Sequence, residues 1–418
     1  MFCLKELYEK VELTQLAQAL IQRPSHKGVE FRERDVARYI YQYCAQQGFE
    51  AELVPVEGER CNVMVYLRGD DTGKNLMLNG HIDTVPPYNM TIDPFKAEIK
   101  DGCIWGRGAV DMKGPIASML MTMVAIKRAG VKLKGDVIFA GVIGEEERSE
   151  GSEFLVKSGI KAHGAVVGEP SNYEYALGHR GLEWLEIIIK GRAAHGGVPH
   201  LGVNAIEKAA ILIERIKREL YPKLRERYNE YMGPSVMNFG VIQGGTQPSS
   251  VADECRIQID RRYIPGENIQ TAIQEYVDII DSIKAEDSDF EAEIRRMPNS
   301  MLTLDHLYLI TSPEEPIARA VKEAIQSITG KEPDITRQRG WTDAALLSNF
   351  GKIPTVVYGP GAIKHAHTKD EHIEINELAD AVEIYGEIIR NFCGFSSDYS
   401  NSIPGNQNIY LKYSDMSR

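Results

Sequence analysis

The chain has 418 residues, of which 43% are hydrophobic and 26% are charged, and its formal net charge is -12 at pH 7. This composition is typical of a folded globular protein, and the acidic balance argues against a nucleic-acid partner, which needs clustered Lys and Arg. No apolar run suggests a membrane span, and the N-terminal residues lack the basic segment and apolar core of a secretion signal. We therefore expect a cytoplasmic protein with two domains, or with one core and a large insert.

Helical and strand patterns alternate along the first part of the chain. Apolar spacing predicts helices over 13–20, 35–44 and 115–129, and strands over 49–54, 61–67, 75–80, 136–143 and 164–168. This alternation predicts an α/β fold with a mostly parallel mixed sheet. Ligands of such sheets bind beyond the carboxyl ends of the strands, so the residues that follow each strand are the first candidates for a site.

Histidine and acidic residues follow several of these predicted strands directly. They are His81 and Asp83 after the strand over 75–80, Glu145 and Glu146 after the strand over 136–143, and Glu169 after the strand over 164–168. Imidazole and carboxylate are common metal ligands, and adjacent carboxylates allow one to bind metal while the other transfers protons. A lone His-x-Asp is more often an ordinary loop or a buried core histidine, so the hypothesis depends on the whole set.

Asp111 lies in a glycine-rich stretch, 105–114, ahead of the helix predicted over 115–129. The stretch superficially matches a dinucleotide-binding fingerprint, but Asp111 stands where the third glycine belongs and would repel a pyrophosphate. An Asp near a helix start is ordinarily a cap. Because Asp111 is several residues early and has glycines on both sides, we interpret it as a functional carboxylate held in a tight loop.

The segment between Gly181 and about residue 296 has a different pattern, with the order strand, helix, strand, strand, helix, strand. That order is typical of a ferredoxin-like α+β unit. It predicts one domain in two parts, 1–181 and 299–395, with a second unit inserted over 182–298 and a tail over 396–418.

Five motifs, in order and spread over nearly the whole chain, resemble the dinuclear zinc amidohydrolase and metallopeptidase family. Its members include acetylornithine deacetylase, succinyl-diaminopimelate desuccinylase, aminoacylase and glutamate carboxypeptidase. The motifs are Gly-His-Ile-Asp-Thr-Val-Pro at 80–86, Gly-Arg-Gly at 106–108 with Asp-Met-Lys-Gly at 111–114, Glu145-Glu146, Gly168-Glu169-Pro170, and His367 with Asp370-Glu371. The resemblance implies that the two-part domain is a zinc-exopeptidase-type α/β catalytic domain and that the inserted ferredoxin-like unit is a lid or dimerisation domain.

The resemblance also implies a role for each of these residues. It implies that His81 and Glu169 bind one zinc ion, that Glu146 and His367 bind a second, and that Asp111 bridges them. Glu145 falls on the general base, and Asp83 on the carboxylate that orients His81. His365 is a rival of His367, which is preferred because the family places this ligand a fixed short distance before the Glu seen here as Glu371. Zn2+ leads as the metal, although Co2+ or Mn2+ also suits these ligands.

The expected substrate contacts lie mostly in the inserted segment. His195 corresponds to the family histidine that reaches into a partner subunit of a homodimer and helps to hold the tetrahedral oxyanion, although a loop histidine is ordinarily only a surface residue. Ser249 stands where the family has an Asn, which puts the usual α-carboxylate contact in doubt. Arg180 and Arg262 are candidate carboxylate binders or, equally, structural ion pairs. Trp341 belongs to a pocket wall that varies with substrate.

The expected function is metal-dependent hydrolysis of the amide bond of an N-acyl amino acid or a similar small substrate, of the deacetylase or desuccinylase type. A dipeptidase or carboxypeptidase of the same family is the alternative. An inactive metal-binding dimer that serves as a binding module is the alternative of another class, but such a module need not keep Glu145. Neither nucleic acid nor a membrane is expected as a partner.

Overall fold

The two largest of five sheets organise the described part of the chain in the computed structural model, which describes residues 4–297, 303–338 and 340–396. The helices are α1 (Lys10–Ile21), α2 (Arg34–Gln46), α3 (Gly114–Arg128), α4 (Glu150–Lys157), α5 (Ala205–Glu226), α6 (Ile269–Glu286), α7 (Pro316–Thr329), α8 (Ala344–Asn349) and α9 (Ile375–Cys393). The strands are β1 (Glu50–Glu57), β2 (Arg60–Leu67), β3 (Leu76–His81), β4 (Glu98–Lys100), β5 (Cys103–Trp105), β6 (Val137–Val142), β7 (Gly164–Val167), β8 (Gly178–His179), β9 (Gly181–Lys190), β10 (Tyr228–Asn229), β11 (Gly233–Pro234), β12 (Val236–Gly244), β13 (Glu254–Tyr263), β14 (Glu291–Arg296), β15 (Leu309–Ile310), β16 (Thr355–Val357) and β17 (His372–Glu374).

The larger sheet has six strands in the order β1-β2-β6-β3-β7-β16. The pairs β6–β3, β3–β7 and β7–β16 are parallel, whereas β1–β2 and β2–β6 are antiparallel. The prediction of an α/β fold with a mostly parallel mixed sheet is therefore confirmed. Because β3, β6 and β7 are parallel neighbours, the residues that follow them lie along the same edge of the sheet.

Helices cover both faces of this sheet, so its central strands are buried along their whole length. Side chains alternate along β3. Leu78 packs in the cluster that contains residues of α3 and α9, and Met77 packs on the opposite face with residues of α8. This double coverage explains why the sequence shows β3 and β6 as continuous apolar runs.

One stretch among the described residues, Ala109–Arg128, is long and apolar enough to pass for a membrane-crossing helix. All of its most apolar window is buried inside the protein. Its apolar character therefore reflects its position in the core between the sheet and α9.

The smaller sheet has four antiparallel strands in the order β12-β13-β9-β14. Along the chain its elements follow as β9, α5, β12, β13, α6 and β14, which is the ferredoxin-like order expected from the sequence. Apolar side chains of α5 and α6 pack with those of β9 and β13 in a core of their own. The domain bounds stay a prediction. The predicted boundary at 298–299 and residues 397–418 of the predicted tail lie outside the described residues.

Gly359 follows β16 where this strand runs beside β7, and its carbonyl oxygen accepts a hydrogen bond from the backbone of Ser171. A Cβ atom at this position would overlap the carbonyl oxygen of Gly168 and lie 2.8 Å from that of Glu169. Gly359→Ala is therefore expected to lower the free energy of unfolding by about 1–3 kcal/mol, as overpacking does, in urea denaturation.

Gly340→Ala is the matched control for this substitution. A Cβ atom there would come no closer than 3.8 Å, to the Gln338 side chain, so we expect a change within about 0.5 kcal/mol. Equal stability of the two variants would contradict the close packing of Gly359 against the backbone of Gly168 and Glu169.

Candidate metal centre

Asp111 lies between two histidines that come from distant parts of the chain. Its Oδ1 atom is 2.9 Å from Nε2 of His81, and its Oδ2 atom is 3.1 Å from Nε2 of His367. One carboxylate therefore faces a different imidazole with each of its oxygen atoms. A carboxylate that bridges two cations needs this arrangement.

Each of the two histidines also approaches a glutamate of its own. Nε2 of His367 is 3.0 Å from Oε1 of Glu146, and Nε2 of His81 is 3.6 Å from Oε1 of Glu169. The side chains thus divide into two sets that share Asp111, in the same pairing that the sequence resemblance implies.

The sheet explains how these side chains meet. His81 is the last residue of β3, Glu145 and Glu146 follow β6 after a short turn, and Glu169 lies two residues beyond β7. The three strands are parallel neighbours, so their carboxyl ends lie side by side. Asp111 comes from the turn before α3 and is joined to Met112 by a cis peptide bond.

Burial and mutual repulsion shape the electrostatics of the cluster. Burial and the charge of Asp111 raise the pKa of Glu169 to about 8 and also raise the pKa of Glu146. Hydrogen bonds with Asp111 and Glu146 raise the pKa of His367 to about 10. Burial alone would lower the pKa of His81, but its hydrogen bond with Asp111 and nearby carboxylates outweigh burial and raise this pKa well above the usual value. The cluster therefore favours positive charge.

The donor set fits divalent cations. Two groups of three side chains have ligand atoms that all lie within 4.8 Å of one another. The first group is His81, Asp111 and Glu146, and the second is His81, Glu145 and Glu169. Within the described ranges, the ion pairs of Asp111, Glu146 and Glu169 are with histidines, and none is with Lys or Arg. Carboxylates gathered in this way need a counter-charge, which within the described ranges comes from the two histidines. The second group also makes Glu145 a rival ligand.

Asp83 links the first histidine to the two adjacent glutamates. Its Oδ1 atom is 3.5 Å from Nδ1 of His81. Its two oxygen atoms also accept the backbone N–H groups of Glu145 and Glu146, at 3.2 and 3.1 Å. Asp83 can therefore orient the His81 ring and hold the turn after β6 at the same time.

His365, the rival of His367, lies elsewhere. Its ring packs on that of His372, with ring centroids 4.3 Å apart. Among the described residues, it is His367 whose imidazole contacts Asp111 and Glu146.

A buried ion pair behind Asp111 was missed by the reasoning from sequence. Glu371 is fully buried, and its Oε2 atom forms an ion pair with Arg107. Its Oε1 atom accepts the backbone N–H groups of Val110 and Asp111, at 3.0 and 3.2 Å. Glu371 therefore ties the segment that carries His367 to the loop that carries Asp111. The only signal in the sequence was the position of Glu371 four residues after His367.

Asp343 was also missed as a neighbour of the site. It is buried, and burial raises its pKa to about 6 although Ser152 donates a hydrogen bond of 2.7 Å to it. Its charge contributes, after burial and Glu169, to raising the pKa of Glu145 well above the usual value. The sequence carried no signal for it beyond its position next to the pocket wall that contains Trp341.

His195 and Ser249 lie away from this cluster, on the inserted unit. Both are exposed, and the backbone N–H of Gly196 donates to the carbonyl oxygen of Ser249 at 2.8 Å. Nδ1 of His195 accepts the N–H of Gly197 at 3.0 Å. In the described part of this chain, no hydrogen bond or ion pair joins either residue to the metal-ligand cluster.

Trp341 and Arg262 both interact with two buried histidines, His179 and His306. Trp341 donates its indole N–H to the carbonyl oxygen of Leu307 at 2.9 Å and packs edge-on against His306, with ring centroids 4.3 Å apart. Burial lowers the pKa of His306 to about 3 and that of His179 to about 4, and the charge of Arg262 acts in the same direction. Both histidines are therefore neutral near pH 7.

The two candidate arginines have partners within the chain. Arg262 forms a bidentate ion pair with Asp260, at 2.7 and 2.9 Å, which favours the structural interpretation of this arginine. Arg180 donates to the carbonyl oxygen of Pro234 at 3.2 Å. Neither bond tests a contact with substrate.

Comparison with known sequences shows which protein family this chain resembles. The model of Peptidase family M20/M25/M40 matches residues 77–391. An N-formyl-4-amino-5-aminomethyl-2-methylpyrimidine deformylase of Bacillus subtilis (strain 168) is 29% identical over 409 residues, which cover 92% of this chain and 95% of that protein. A probable succinyl-diaminopimelate desuccinylase of Staphylococcus epidermidis is 26% identical over 397 residues, which cover 86% of this chain and 93% of that protein.

Solved structures agree on the fold. A tripeptidase from Staphylococcus aureus superimposes with a TM-score of 0.78 at 23% identity, over 93% of this chain and 99% of that one. A dinuclear metal-binding peptidase of the M20 family from Bacillus subtilis superimposes with a TM-score of 0.69 at 18% identity, over 91% of this chain and 97% of that one. At these identities the likeness concerns the arrangement of the chain alone.

Glu371→Gln tests whether the buried pair behind Asp111 positions the cluster. The amide replaces one carboxylate oxygen facing Arg107 with a donor, so the loop that carries Asp111 should loosen. We expect metal affinity to fall about 10- to 100-fold, as it does when groups supporting metal ligands are removed. Calorimetric titration with Zn2+ or Co2+ measures this.

Glu374→Gln is the matched control, since Glu374 is exposed and close in sequence. It should bind metal like the unmodified protein. Unchanged affinity in Glu371→Gln, with folding intact by circular dichroism, would refute the positioning role.

Proposed function

Because the chain belongs to Peptidase family M20/M25/M40, we propose that it removes a short acyl group from the nitrogen atom of an amino acid or a similar small amine. Hydrolysis of amide bonds follows from the family and its deacylating relatives. The finer statement about the substrate is supported by the names of those relatives, a deformylase and a desuccinylase. The peptidase neighbours share the fold at low identity and do not favour the dipeptidase alternative. The binding-module alternative is not favoured either.

The single observation that carries the proposal is the pairing of two histidines with one shared carboxylate beside Glu145. We infer that His81, Asp111 and Glu169 hold one divalent cation and that His367, Asp111 and Glu146 hold the other. Cations in these positions supply Lewis-acid polarisation of an amide carbonyl and lower the pKa of a bound water. Zinc is the metal we expect from a set of imidazole and carboxylate ligands, with Co2+ and Mn2+ as alternatives.

Glu145 is suited to move the proton in this reaction. Its carboxylate forms no hydrogen bond or ion pair with another described residue, and burial raises its pKa well above the usual value. A carboxylate with these properties accepts a proton from water during attack and returns it to the leaving amine. Asp83 keeps the backbone of Glu145 in place through the hydrogen bond described above.

We propose that Trp341 forms part of the wall around the substrate and that His195 contributes from a partner subunit. Support for the first is the neutral, aromatic surrounding of Trp341 beside His179 and His306. Support for the second is the exposure of His195, whose ring is free of contacts with the cluster within its own described chain. Ser249 and Arg180 stay candidates for holding a substrate carboxylate, and Arg262 would have to exchange its bond with Asp260 to do so.

In the proposed homodimer, which forms through the inserted unit, His195 of one subunit contributes to the site of the other subunit. β12 is an edge strand, and its Val241 and Ile242 side chains are 38% and 54% exposed. Exposed apolar edge strands tend to pair with another chain. A cytoplasmic location is also part of the proposal, supported by the free state of the described cysteines, Cys44, Cys61, Cys103, Cys255 and Cys393, which suits a reducing compartment.

The proposed function is tested by measuring turnover on a panel of substrates with Zn2+, Co2+ or Mn2+ added. The panel contains N-formyl, N-acetyl and N-succinyl amino acids and dipeptides. We expect hydrolysis of N-acyl amino acids to exceed that of dipeptides. Preferential dipeptide cleavage would overturn the substrate proposal. Tight binding of a panel compound without turnover at any metal would favour the binding module.

Glu145→Ala separates the general base from a rival ligand. We expect near-normal metal content and a fall in kcat of about 10²–10⁴-fold, the usual contribution of a general base. Metal content is measured by inductively coupled plasma mass spectrometry after dialysis. Glu146→Ala is the matched comparison and should lose metal, since it removes a proposed ligand. Loss of metal in Glu145→Ala as well would reassign Glu145 as a ligand.

Introducing charged side chains on the edge strand β12 tests whether the proposed dimer forms through this strand. The double substitution Val241→Lys and Ile242→Lys should convert a dimer into a monomer in light scattering coupled to size exclusion, because it places like charges on the pairing edge. Turnover should fall with it if His195 acts across subunits. Ile99→Lys, at a site 49% exposed on β4 of the other unit, should leave the dimer intact. A dimer that survives the double substitution would refute this interface.

A further inference from the structure

Asp343 is a buried carboxylate that has no role in the proposed reaction. It lies directly before α8, is 1% exposed and forms no ion pair with Lys or Arg within the described ranges. Burial is the main cause of the raised pKa of Glu145 and of Glu169, and the charge of Asp343 adds to it in both. Burying a carboxylate without a cationic partner costs free energy, so hydrogen bonds must offset the cost here.

Two serine hydroxyl groups at the start of α4 face this carboxylate. Ser152 donates a hydrogen bond of 2.7 Å to Oδ2 of Asp343. Burial raises the pKa of Asp343 to about 6, and the Ser149 hydroxyl acts against burial, although its Oγ atom forms no hydrogen bond of normal geometry among the described residues. Both serines are 0% exposed and have no access to solvent. Asp343 therefore joins the start of α4 to the start of α8.

The start of α4 is also the end of the turn that carries Glu145. The carbonyl oxygen of Gly144 accepts the backbone N–H groups of residues 147, 148 and 149, at 3.2, 2.9 and 2.7 Å. Ser149 then leads into α4 with a left-handed backbone, at a φ of 53°. A residue other than Gly keeps that conformation only where its surroundings fix it. The shape of the turn therefore depends on what holds α4.

Side chains from three parts of the chain fix the two ends of this turn. Asp83, which follows β3, accepts its first two backbone N–H groups. Asn62, from β2, donates to a backbone carbonyl oxygen of α4 at 2.9 Å. Asp343 reaches the first turn of α4 from beyond the inserted unit. It therefore ties the turn to the segment that contains Trp341.

The segment that carries Asp343 is itself held in place. Nδ1 of His179 lies 3.1 Å from the carbonyl oxygen of Arg180, so it carries the proton of the neutral ring. Nε2 of His179 then accepts a hydrogen bond from Oγ1 of Thr342, at 3.1 Å. The carbonyl oxygen of Asp343 accepts two backbone N–H groups of α8, at 3.0 and 3.2 Å. Asp343 thus has a fixed place from which to hold α4.

We propose that Asp343 is a positioning residue, which through Ser152 holds the start of α4 and so keeps Glu145 at the metal cluster. The inference rests on the proposed function, because it gives Glu145 the role of general base. Asp343 itself contacts neither the substrate nor the cations. Its removal should therefore lower kcat, which depends on the placement of the base, and leave KM and metal content unchanged.

Asp343→Ala tests the proposal on the metal-loaded enzyme. We expect kcat for an N-acetyl amino acid to fall about 10- to 100-fold, because a displacement of about 1 Å can cost that much, while KM stays within about twofold. Asp343→Asn should keep kcat within about threefold, because its amide oxygen still accepts the Ser152 hydroxyl. An equal loss in both variants would assign the effect to the charge of Asp343 and overturn the proposal.

The proposal also requires that Asp343 acts through Glu145. In a Glu145→Ala background, Asp343→Ala should therefore change the residual kcat by less than about twofold. A loss as large as the one that Asp343→Ala causes on its own would indicate a general structural role and refute the assignment.

Hydrogen exchange reports on the turn without any turnover. Asp343→Ala and Ser152→Ala should each raise the exchange rate of the backbone N–H groups of residues 145–149 about fivefold or more, as expected for the loss of one hydrogen bond. The rates are measured by mass spectrometry on the full chain with metal bound. Because Ser152→Ala is the milder change, it keeps the proposal falsifiable if Asp343→Ala fails to fold.

Ser158→Ala is the matched control for the exchange experiment. The Ser158 hydroxyl donates to the carbonyl oxygen of Leu155 at the other end of α4, at 2.8 Å. Its removal should leave exchange in residues 145–149 unchanged. Equal exchange in Ser152→Ala and Ser158→Ala would show that Asp343 does not hold the turn.

The two proposals fail in distinguishable ways. Unchanged kcat and unchanged exchange in Asp343→Ala would overturn the positioning role and leave the proposed function standing. An unmodified, metal-loaded enzyme that hydrolyses no N-acyl compound would overturn the proposed function and the general base with it, whatever the exchange rates of the turn.

Discussion

The gathering of carboxylates at one edge of a parallel sheet is the constraint on which the rest of the structure depends. β3, β6 and β7 run in the same direction, so the acids that follow them meet in one buried space. There each carboxylate loses water and faces others, which raises the pKa of Glu146 and Glu169. Two histidines supply the positive charge seen in the ion pairs of this cluster. Bound cations would complete the balance, and the mutual repulsion that makes it costly to bury these carboxylates together would make them strong ligands.

A surrounding layer of buried charge holds the ligand-bearing segments in register. Asp83 and Glu371 both accept backbone N–H groups, one from the turn after β6 and the other from the loop before α3. Asp83 also faces the imidazole ring of His81, and Glu371 forms an ion pair with Arg107. The positions of the side chains proposed to act in catalysis therefore depend on carboxylates that hold the backbone of their loops.

The core of the site could be predicted from the sequence because parallel strands deliver their following residues to a common edge. His81, Glu146 and Glu169 each follow an apolar run closely, and these local signals taken together indicate a common site. The pairing of Glu371 with Arg107 joins residues 264 positions apart and has no local signature. The same holds for the packing of Trp341 on His306, which depends on how loops fold over the sheet. The sequence also does not say which face of the inserted unit meets another chain, so the expected contact of His195 with a partner subunit has no local signature.

The parallel pairing of β16 with β7 also has a consequence for the order in which the protein assembles during synthesis. The inserted unit, over residues 181–296, contains its own strands, helices and apolar core, so it can form while the chain is still being extended. The larger sheet must wait for β16, and Asp111 must wait for His367 and Glu371, which are made after the insert. Loop closure across the insert makes these contacts the slow ones. The cluster around Asp111 can thus close only after the inserted unit, β16 and His367 have all been made.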